Sequence, residues 1–411
     1  MENVLDVFGI GCGPFNLSVA ILAKKNNLSS LFVDEKNSMS WHSGMMLPFA
    51  TIQNSHTRDL VSLVDPCSSY TFNNFLLETG RLEEHTIADF KFTKRWEFEQ
   101  YLQWVVSHLD NVKFGIKVEE VSKNEKGFFV ITTTDSEGTS KQFYAKNVVL
   151  GTGVSPIIPD FASNFSPNTY FHNSAYNFKD KRSVKDITII GGGQSALEIC
   201  LDILTNYTNV QNLSVIYQEP FIHQIEASQF AEDVVFSSWG IDEYYKLSSD
   251  VKDKLLPKLR FTSDGASLDT IKELYQLLYQ NKYLTNRVNF RMYNHSKVIG
   301  INYKENYSLL VKDLHTNYNH EVTSEMVILA TGYKQLLNKE IFNKELLEEI
   351  AFEDDKPKLD ENYCIYQNEL GFALYIVNGG KHSFGVVDPN LSLSAIRANK
   401  IISVIKNKEG K

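Results

Sequence analysis

The sequence lacks several features that would assign a function at once. Its four cysteines, at positions 12, 67, 200 and 364, form no Cys-x-x-Cys pair. This spacing argues against a dithiol flavin reductase and against a zinc knuckle, and we expect buried free thiols. The formal net charge of −9 gives no reason to expect a nucleic-acid partner.

Membrane-spanning and targeting segments are also lacking. The most apolar stretch near the N-terminus, residues 4–23, is interrupted by three glycines and a proline, which makes it unsuited to span a membrane. The first residues show neither the basic region nor the cleavage site of a signal peptide. We therefore expect a soluble, cytoplasmic protein without a membrane partner.

Motifs for catalysis by the protein's own side chains are equally scarce. The sequence shows no serine–histidine–acid triad and no metal-ligand cluster, and histidines such as His42, His56, His172 and His382 are scattered. We interpret these histidines as packing or hydrogen-bonding residues and expect no bound metal. This absence is typical of an enzyme whose cofactor carries the difficult step.

Two glycine-rich turns stand out against this background. The first is Gly9-Ile-Gly11-Cys-Gly13-Pro14, and the second is Gly191-Gly-Gly193-Gln-Ser195. Each follows an apolar, strand-like run and precedes a helix-like segment, which is the context that makes a glycine pattern a dinucleotide site. Glycines let the backbone approach a pyrophosphate, and the helix N-terminus attracts its charge. Two such turns predict a flavoprotein that is reduced by a nicotinamide.

The order of elements predicts an α/β fold with two Rossmann-like dinucleotide-binding domains. We expect the NAD(P)H domain, with a helical substrate-site segment, at 166–325, inserted into an FAD domain made of 1–165 and 326–411. Residues 112–150 are predicted to form a β-meander. The return to the FAD domain is inferred from the strand before Ala330-Thr331-Gly332-Tyr333 and from the C-terminal helix.

An ordered set of further motifs carries a family resemblance. The chain resembles the flavin-dependent N-hydroxylating monooxygenases, which include lysine, ornithine, diamine and histamine N-hydroxylases of siderophore biosynthesis. The resemblance spans nearly the whole chain. The matching motifs include Gly9-x-Gly11-x-Gly13-Pro14-x-Asn16, Trp41-His42-x-Gly44, His172-x-Ser174-x-Tyr176, Gly191-x-Gly193-Gln194-Ser195-Ala196-x-Glu198, Thr262-Ser263-Asp-Gly265 and Asp388-Pro-Asn-Leu-Ser392.

The resemblance implies a reaction and its participants. NADPH, with NADH possible, would reduce FAD, and oxygen would form a C4a-hydroperoxyflavin. A neutral primary amine would then be N-hydroxylated in a site that excludes water. The family also implies a homo-oligomer, either a dimer or a tetramer. No side chain is required as a certain catalyst, although Gln53 is expected near the flavin.

The resemblance also implies roles for individual residues. The residues expected to bind FAD are Gly9, Gly11, Gly13, Pro14 and Asp34, with Trp41, His42 and Gln53 near the flavin ring. Asp34 also lies near the spacing at which a carboxylate meets the ribose hydroxyls. The residues expected to bind the nicotinamide dinucleotide are Gly191, Gly193, Gln194, Ser195, Gln218, Thr331 and Gly332. The residues expected to contact the substrate are Arg58, Glu232, Ser263 and Ser392.

Departures from the family pattern affect cofactor and substrate preference. Gln218 stands where the family often has a basic residue, which weakens the expectation of strict NADPH use. Arg58 and Glu232 stand near or at the places of a lysine and an asparagine that hold an amino-acid substrate. Because Glu232 would repel a carboxylate, we expect a diamine such as putrescine or cadaverine, or histamine. Arg58 could instead clamp a carboxylate, so L-lysine or L-ornithine N-hydroxylation is the alternative. Arg58 could also simply pair with Glu232 or Asp59.

Two other classes stay open at this point. Flavin monooxygenases for sulfur oxidation or Baeyer–Villiger insertion carry a motif before the second glycine turn. This sequence departs from that motif at two positions, which counts against that class. A non-catalytic dinucleotide-binding protein is not excluded by glycine turns, since a fold does not fix a function.

Overall fold

Two sheets, the first mixed and the second parallel, are built around the two glycine turns. The computed structural model describes residues 3–162, 168–335 and 337–409. The strands in these ranges are β1 (Val4–Ile10), β2 (Ser30–Asp34), β3 (Val112–Phe114), β4 (Ile116–Lys123), β5 (Phe129–Asp135), β6 (Ser140–Leu150), β7 (Ser155–Pro156), β8 (Tyr170–His172), β9 (Asp186–Ile190), β10 (Asn212–Ile216), β11 (Asn289–Tyr293), β12 (Ser296–Tyr303), β13 (Tyr307–Asp313), β14 (Asn319–Ser324), β15 (Met326–Leu329), β16 (Tyr333–Lys334), β17 (Phe352–Glu353), β18 (Lys356–Pro357), β19 (Cys364–Gln367) and β20 (Ala373–Ile376).

Helices follow both glycine turns and cover the sheets. The first begins at Pro14, whose fixed φ suits a first helical position, directly after Gly13 as N-cap. The α-helices in the described ranges are α1 (Pro14–Lys25), α2 (Phe72–Glu78), α3 (Leu82–Ala88), α4 (Arg95–Ser107), α5 (Gln194–Asn206), α6 (Gln229–Val235), α7 (Ser238–Lys246), α8 (Ser249–Leu259), α9 (Leu268–Gln280), α10 (Lys344–Glu349), α11 (Lys381–Phe384) and α12 (Ser394–Glu409).

The first sheet combines strands from the two ends of the chain. Its order is β19-β20-β6-β1-β2-β3, and the β4–β5 hairpin extends from β6. Strand β1 runs parallel to β2 and β6, and β20 runs parallel to β6. Helix α12 packs against α1. The later strands thus rejoin the first sheet after a second unit has been built, as the predicted insertion requires.

The second sheet is wholly parallel, in the order β11-β10-β9-β15-β8. Helix α5 connects β9 to β10, and α9 packs on α5. A separate antiparallel sheet, β12-β13-β14, follows. Together the parallel strands of the two sheets and their helices give the predicted α/β class with two Rossmann-like units.

Two sequence expectations about strands are corrected. Strand β3 pairs in parallel with β2 and does not join the predicted meander, which consists of β4, β5 and β6 only. Strand β15 was expected in the return segment that starts at 326, but it lies in the second sheet between β9 and β8. A strand's apolar sequence records burial and not the identity of its neighbours. The predicted boundary between 165 and 166 lies outside the described residues.

Several contacts join the two units closely. Met45, Leu47 and Ala50, which follow the first sheet's β2 in sequence, pack in the hydrophobic core of the second unit. Val235 of α6 and Ile241 of α7 pack in the core of the first unit, although they belong to the inserted stretch. The two connections between the units run side by side as the antiparallel pair of β7 and β16. The helical segment therefore bridges the units.

Two further expectations concern cysteines and membrane spans. Cys12, Cys200 and Cys364 are buried free thiols as expected, whereas Cys67 is an exposed free thiol. Cys67 lies in the turn before α2 among polar residues, and turns of this kind lie at the surface. In the ranges that the structure describes, no helix has the length and apolar character needed to cross a membrane.

Candidate functional site

The first glycine turn has the geometry of an anion cradle. Gly11 has φ +88°, and a methyl group added there would lie 2.3 Å from the carbonyl oxygen of Gly151. Gly13 is the N-cap of α1, and an added methyl would meet no described atom within 4 Å. The first turn of α1 carries no acidic residue, so the positive end of the helix dipole is not neutralised. These features fit a bound pyrophosphate.

Asp34 and Asn16 hold this turn from its two sides. The Asp34 Oδ2 atom accepts a hydrogen bond from the Cys12 N–H at 2.8 Å, and Oδ1 accepts from Lys36 N–H at 3.0 Å. Asn16 Nδ2 donates to the carbonyl oxygens of Ile10 and Gly11 at 3.0 and 2.8 Å. Asn16 is a site residue that the glycine pattern alone did not assign, although it forms part of the family motif.

Trp41, His42 and Gln53 lie on one loop that extends from β2 towards α2. The Trp41 N–H donates to Glu99 Oε1 at 2.8 Å, and its ring packs edge-on against Phe98. The His42 side chain keeps accessible surface, although its ring lies edge-on to those of Trp41 and Tyr333 and the protein around it limits hydration. Low hydration, with the positive charges of Arg95 and Lys36, lowers the pKa of His42 to about 4. His42 is therefore neutral at neutral pH.

The second glycine turn repeats the same construction. Gly191 has φ +138°, and an added methyl would lie 2.1 Å from the carbonyl oxygen of Ala330. Gly193 is the N-cap of α5, whose first turn, containing Ser195, also lacks an acidic residue. This turn therefore offers backbone N–H groups and an uncompensated helix N-terminus to a second dinucleotide.

Gln194 connects the second turn to the loop of the first. Its Nε2 donates to Glu198 Oε1 at 2.9 Å and to Thr270 Oγ1 at 3.0 Å. Its Oε1 accepts from the Ser267 N–H at 2.8 Å and lies 3.4 Å from Gln53 Nε2. Gln53 adopts φ +56°, which is uncommon for a residue with a side chain. Two residues assigned to different dinucleotides are therefore neighbours.

The predicted coenzyme residue Gln218 is exposed just after β10. A cation that sequence reasoning missed lies in the same region. Arg260 Nη1 contacts Glu219 Oε1 at 2.7 Å, and half of the Arg260 side chain is exposed. His223 stacks on Phe261 with ring centroids 3.7 Å apart. Arg260 had no local signal, because it lies in a polar helical region far from Gln218 in sequence.

Thr331 and Gly332 lie where the chain crosses between the units. Thr331 Oγ1 donates to the carbonyl oxygen of Ile157 at 2.6 Å. The Ser174 N–H donates to His172 Nδ1 at 3.2 Å, which leaves the protonated Nε2 to donate to the Gly332 carbonyl oxygen at 3.0 Å. These bonds fasten the two connections to each other.

The structure brings two of the four predicted substrate residues into contact. Arg58 Nη1 and Glu232 Oε2 are 2.8 Å apart, and the two side chains are 29% and 33% exposed. The pair connects the loop before α2 with α6. Its partial exposure leaves both charges within reach of a small solute.

The two predicted serines have different surroundings. Ser392 is 1% exposed, and in the part of the chain that is described its Oγ meets no hydrogen-bond partner. A buried hydroxyl without a partner is costly, and a polar ligand would relieve that cost. The Ser263 hydroxyl instead donates within its own turn, with the Asp264 carboxylate at 2.7 Å, so its substrate role gains no support from this geometry.

The site as a whole can bind two anionic dinucleotides close together. Both glycine turns end in helix N-termini, and the residues assigned to each meet through Gln53 and Gln194. An electron carrier and its reductant held this way could exchange a hydride, while the redox chemistry itself would be that of the cofactors.

Comparisons with known proteins agree with this geometry. The family described as L-lysine 6-monooxygenase/L-ornithine 5-monooxygenase matches residues 3–335. A putrescine N-hydroxylase from Shewanella oneidensis is 30% identical over 98% of this chain and 81% of that protein.

Two solved structures share the whole architecture. The cadaverine monooxygenase of the desferrioxamine pathway from Erwinia amylovora, bound to FAD, has a TM-score of 0.91 and 28% identity, and the match covers 98% of this chain and 95% of that one. An ornithine N-hydroxylase from Kutzneria, with reduced FAD, NADP+ and L-ornithine, has a TM-score of 0.92 and 26% identity, and the match covers 99% and 100%.

Proposed function

Because this chain belongs to the L-lysine 6-monooxygenase/L-ornithine 5-monooxygenase family, we propose that it N-hydroxylates a small diamine such as putrescine or cadaverine. The protein is an FAD- and NADPH-dependent monooxygenase that N-hydroxylates an amine. Histamine, which also carries a second cationic group, belongs to the same proposal. The product would supply a siderophore pathway.

The observation that carries the choice of a diamine is the contact between Arg58 and Glu232. The 2.8 Å ion pair engages Arg58, a cation that stands near the family's carboxylate-binding position. A substrate carboxylate would have to compete with Glu232 for the guanidinium and would be repelled by it. The distal ammonium of a diamine would instead be attracted to Glu232. The relatives that act on putrescine and cadaverine are consistent with this proposal.

The proposal also requires a dry environment at the reacting end of the substrate. Only a neutral amine can attack an electrophilic oxygen, and low hydration lowers an amine's pKa. When bound, the reduced flavin and oxygen supply the oxidising chemistry. The protein's residues bind the cofactors, orient the amine and exclude water. We assign Ser392 to the substrate because its buried hydroxyl lacks a described partner.

The cofactor residues are assigned in the same way as proposals. The FAD set is Gly9, Gly11, Gly13, Pro14, Asp34, Trp41, His42 and Gln53. The nicotinamide set is Gly191, Gly193, Gln194, Ser195, Gln218, Thr331 and Gly332. The positive φ of Gly11 and Gly191 and the open N-termini of α1 and α5 support both sets.

The second candidate is L-ornithine or L-lysine N-hydroxylation. One observation favours it: Arg58 keeps its guanidinium at the position in question, and a planar guanidinium can bind a carboxylate through two parallel bonds. The Kutzneria relative contains L-ornithine. In this case Glu232 would move away from Arg58 when the substrate binds.

Product mass spectrometry across a panel of amines tests the proposal. Putrescine, cadaverine, histamine, L-ornithine and L-lysine are each supplied with NADPH, and hydrogen peroxide is measured alongside hydroxylated product. We expect diamines or histamine to be hydroxylated and Glu232→Gln to raise their KM at least tenfold. If the parent enzyme hydroxylates only the amino acids and Arg58→Ala abolishes that activity, the diamine proposal is wrong. Arg182→Ala is the control, since Arg182 is an exposed arginine paired with Asp180.

Three broader predictions accompany the proposal. We expect molecular oxygen as co-substrate, a dimeric or tetrameric assembly, and a cytoplasmic location. Oxygen uptake, light scattering of the purified holoenzyme and cell fractionation measure them in turn.

A further inference from the structure

We propose that Arg95 and Glu198 form a positioning pair that fixes the nicotinamide-side turn against the flavin-side loop. The flavin-side loop is defined here as residues 41–54, which carry Trp41, His42 and Gln53. The nicotinamide-side turn is residues 191–195. Neither Arg95 nor Glu198 is among the assigned binding residues, and the proposal does not depend on which amine is the substrate.

The pair itself is buried and fully engaged. Arg95 Nη1 contacts Glu198 Oε2 at 2.8 Å, and Nη2 contacts Oε1 at 3.0 Å. The side chain of Glu198 is 0% exposed and that of Arg95 is 11% exposed. Burial raises the pKa of Glu198, while Arg95 and Gln194 favour the charged form. A bidentate contact of this kind fixes orientation as well as distance.

Arg95 also holds the flavin-side loop. Its Nη1 donates to the carbonyl oxygen of Met45 at 3.0 Å, and its backbone N–H donates to the carbonyl oxygen of Ala50 at 3.0 Å. The next residue, Trp96, donates from Nε1 to the Met46 carbonyl oxygen at 3.1 Å. The first turn of α4 therefore holds the middle of the flavin-side loop through three hydrogen bonds.

Glu198 holds the nicotinamide-side turn. Its Oε1 accepts from Gln194 Nε2 at 2.9 Å, one helical turn earlier on α5. Gln194 in turn lies 3.4 Å from Gln53, at the end of the flavin-side loop. These hydrogen bonds therefore form a network that connects Met45, Arg95, Glu198, Gln194 and Gln53. Because the rate of hydride transfer falls steeply when the reacting atoms are misplaced, this network would set the distance between the two cofactors.

The geometry allows the positioning role of Arg95 to be tested apart from its contribution to stability. Met45 and Ala50 already pack in the core of the second unit, so the loop keeps apolar anchors when the ion pair is weakened. Arg95→Lys retains the charge but loses the two-pronged contact and cannot bond Glu198 and Met45 in the same way. We therefore expect that variant to fold and bind FAD while its cofactors are misaligned.

A matched variant contacts the other end of the same helix. Arg287, shortly before β11, is partly buried; its Nη1 donates to the Tyr207 carbonyl oxygen at 2.9 Å and its Nη2 to the Leu204 carbonyl oxygen of α5. Arg287→Lys keeps the charge but loses this two-pronged contact, which lies within the second unit at the end of α5 away from Gln194. It therefore reports the cost of disturbing α5 without disturbing the network around Gln194.

The test compares the holoenzymes without amine and then with amine. For Arg95→Lys we expect unchanged FAD content, NADP+ affinity measured by calorimetry at least fivefold weaker, and flavin reduction by NADPH at least tenfold slower. With amine, a larger share of the NADPH oxidised should yield hydrogen peroxide. Arg287→Lys should change each quantity less than twofold. The amine-free readouts also distinguish failure of this proposal from a wrong substrate.

Two outcomes would overturn the proposal. One is a folded Arg95→Lys enzyme with the parent's NADP+ affinity and reduction rate. The other is a parallel loss in Arg95→Lys and Arg287→Lys that follows their melting temperatures. If Arg95→Lys does not fold, Glu198→Gln takes its place, because its amide oxygen can still accept from Gln194 while the charge pairing is lost.

Discussion

At the scale of single residues, a substitution at Gly13 tests FAD binding without disturbing the fold. An added side chain there meets no described protein atom within 4 Å, and its φ of −72° is accessible to any residue. A bound pyrophosphate would approach it closely. Gly13→Val should therefore purify with little FAD, measured as the ratio of visible to ultraviolet absorbance, while the apo-protein keeps its melting temperature.

Gly11→Val serves as the contrasting variant. Its side chain would meet the Gly151 carbonyl oxygen at 2.3 Å, and φ +88° adds backbone strain. It should lose both FAD and thermal stability. Full flavin occupancy in Gly13→Val would contradict the assignment of the first turn.

Also at the residue scale, the presence of Gln218 leads us to expect that the enzyme discriminates only modestly between NADPH and NADH. A charge-assisted contact to the 2′-phosphate contributes about 1.5–3 kcal/mol, and Gln218 cannot supply it. Gln218→Arg should raise the preference for NADPH over NADH at least tenfold. Arg260→Ala should lower it, because Arg260, paired with Glu219, is a nearby cation. Flavin reduction titrated with both coenzymes measures the ratio.

The contrary result is clear for this prediction. A preference for NADPH above roughly a thousandfold (~4 kcal/mol) that survives Arg260→Ala would mean that another cation holds the phosphate. His223 and Lys282 would then be tested in the same titration.

At the scale of elements, the join between two short 3₁₀ turns, Ser43–Met45 and Asn173–Phe178, is a close contact of the flavin-side loop with the second unit. A methyl group added at Gly44 would lie 1.7 Å from the Ser174 carbonyl oxygen. Gly44→Ala must push the turns apart, and overpacking of this kind costs about 1–3 kcal/mol. The free energy of unfolding should fall by that amount in chemical denaturation.

A glycine elsewhere in the fold provides the comparison. Gly300 lies in β12, and an added methyl would come no closer than 3.9 Å to any described atom. Gly300→Ala should be neutral or slightly stabilising, because it restricts the unfolded chain. Equal stability of Gly44→Ala and the parent would show that the join is loose.

At the scale of the whole molecule, neutral histidines predict sensitivity to acid. Burial lowers the pKa of His172 from the ordinary value of 6.5, although its bond to Gly332 acts in the opposite direction. Burial also lowers the pKa values of His56 and His382, and that of His42 falls to about 4. As the pH falls below 6.5, the unfolded chain binds protons before the folded one, so stability decreases.

The prediction is measured as the melting temperature at pH 8, 6.5 and 5. His172→Gln keeps a donor for the Gly332 carbonyl oxygen but does not titrate, so its melting temperature should fall less steeply between pH 6.5 and 5. His315→Gln, at an exposed position, should keep the parent slope. A slope unchanged by His172→Gln would remove the buried histidine as a cause.

The sequence by itself determined the two dinucleotide turns and the insertion of one unit into the other. Each turn depends on a few consecutive residues: the end of a strand, a glycine such as Gly11 or Gly191 that accepts positive φ, and a helix that begins at once. Such local requirements leave a readable pattern. The family resemblance then carried Arg58 and Glu232 as candidates and left open whether Arg58 pairs with Glu232, with Asp59 or with a substrate carboxylate.

Only the tertiary structure decided which distant residues these local segments contact. The sheet that receives β15, the pairing of Arg58 with Glu232 and the contact of Arg95 with Glu198, 103 residues apart, all depend on how distant segments pack. A lone charge in a helix has the same sequence appearance whether it faces water or a buried partner. Burial and pairing are properties of the assembled core, and this is the physical reason why Arg95 was not found from the sequence.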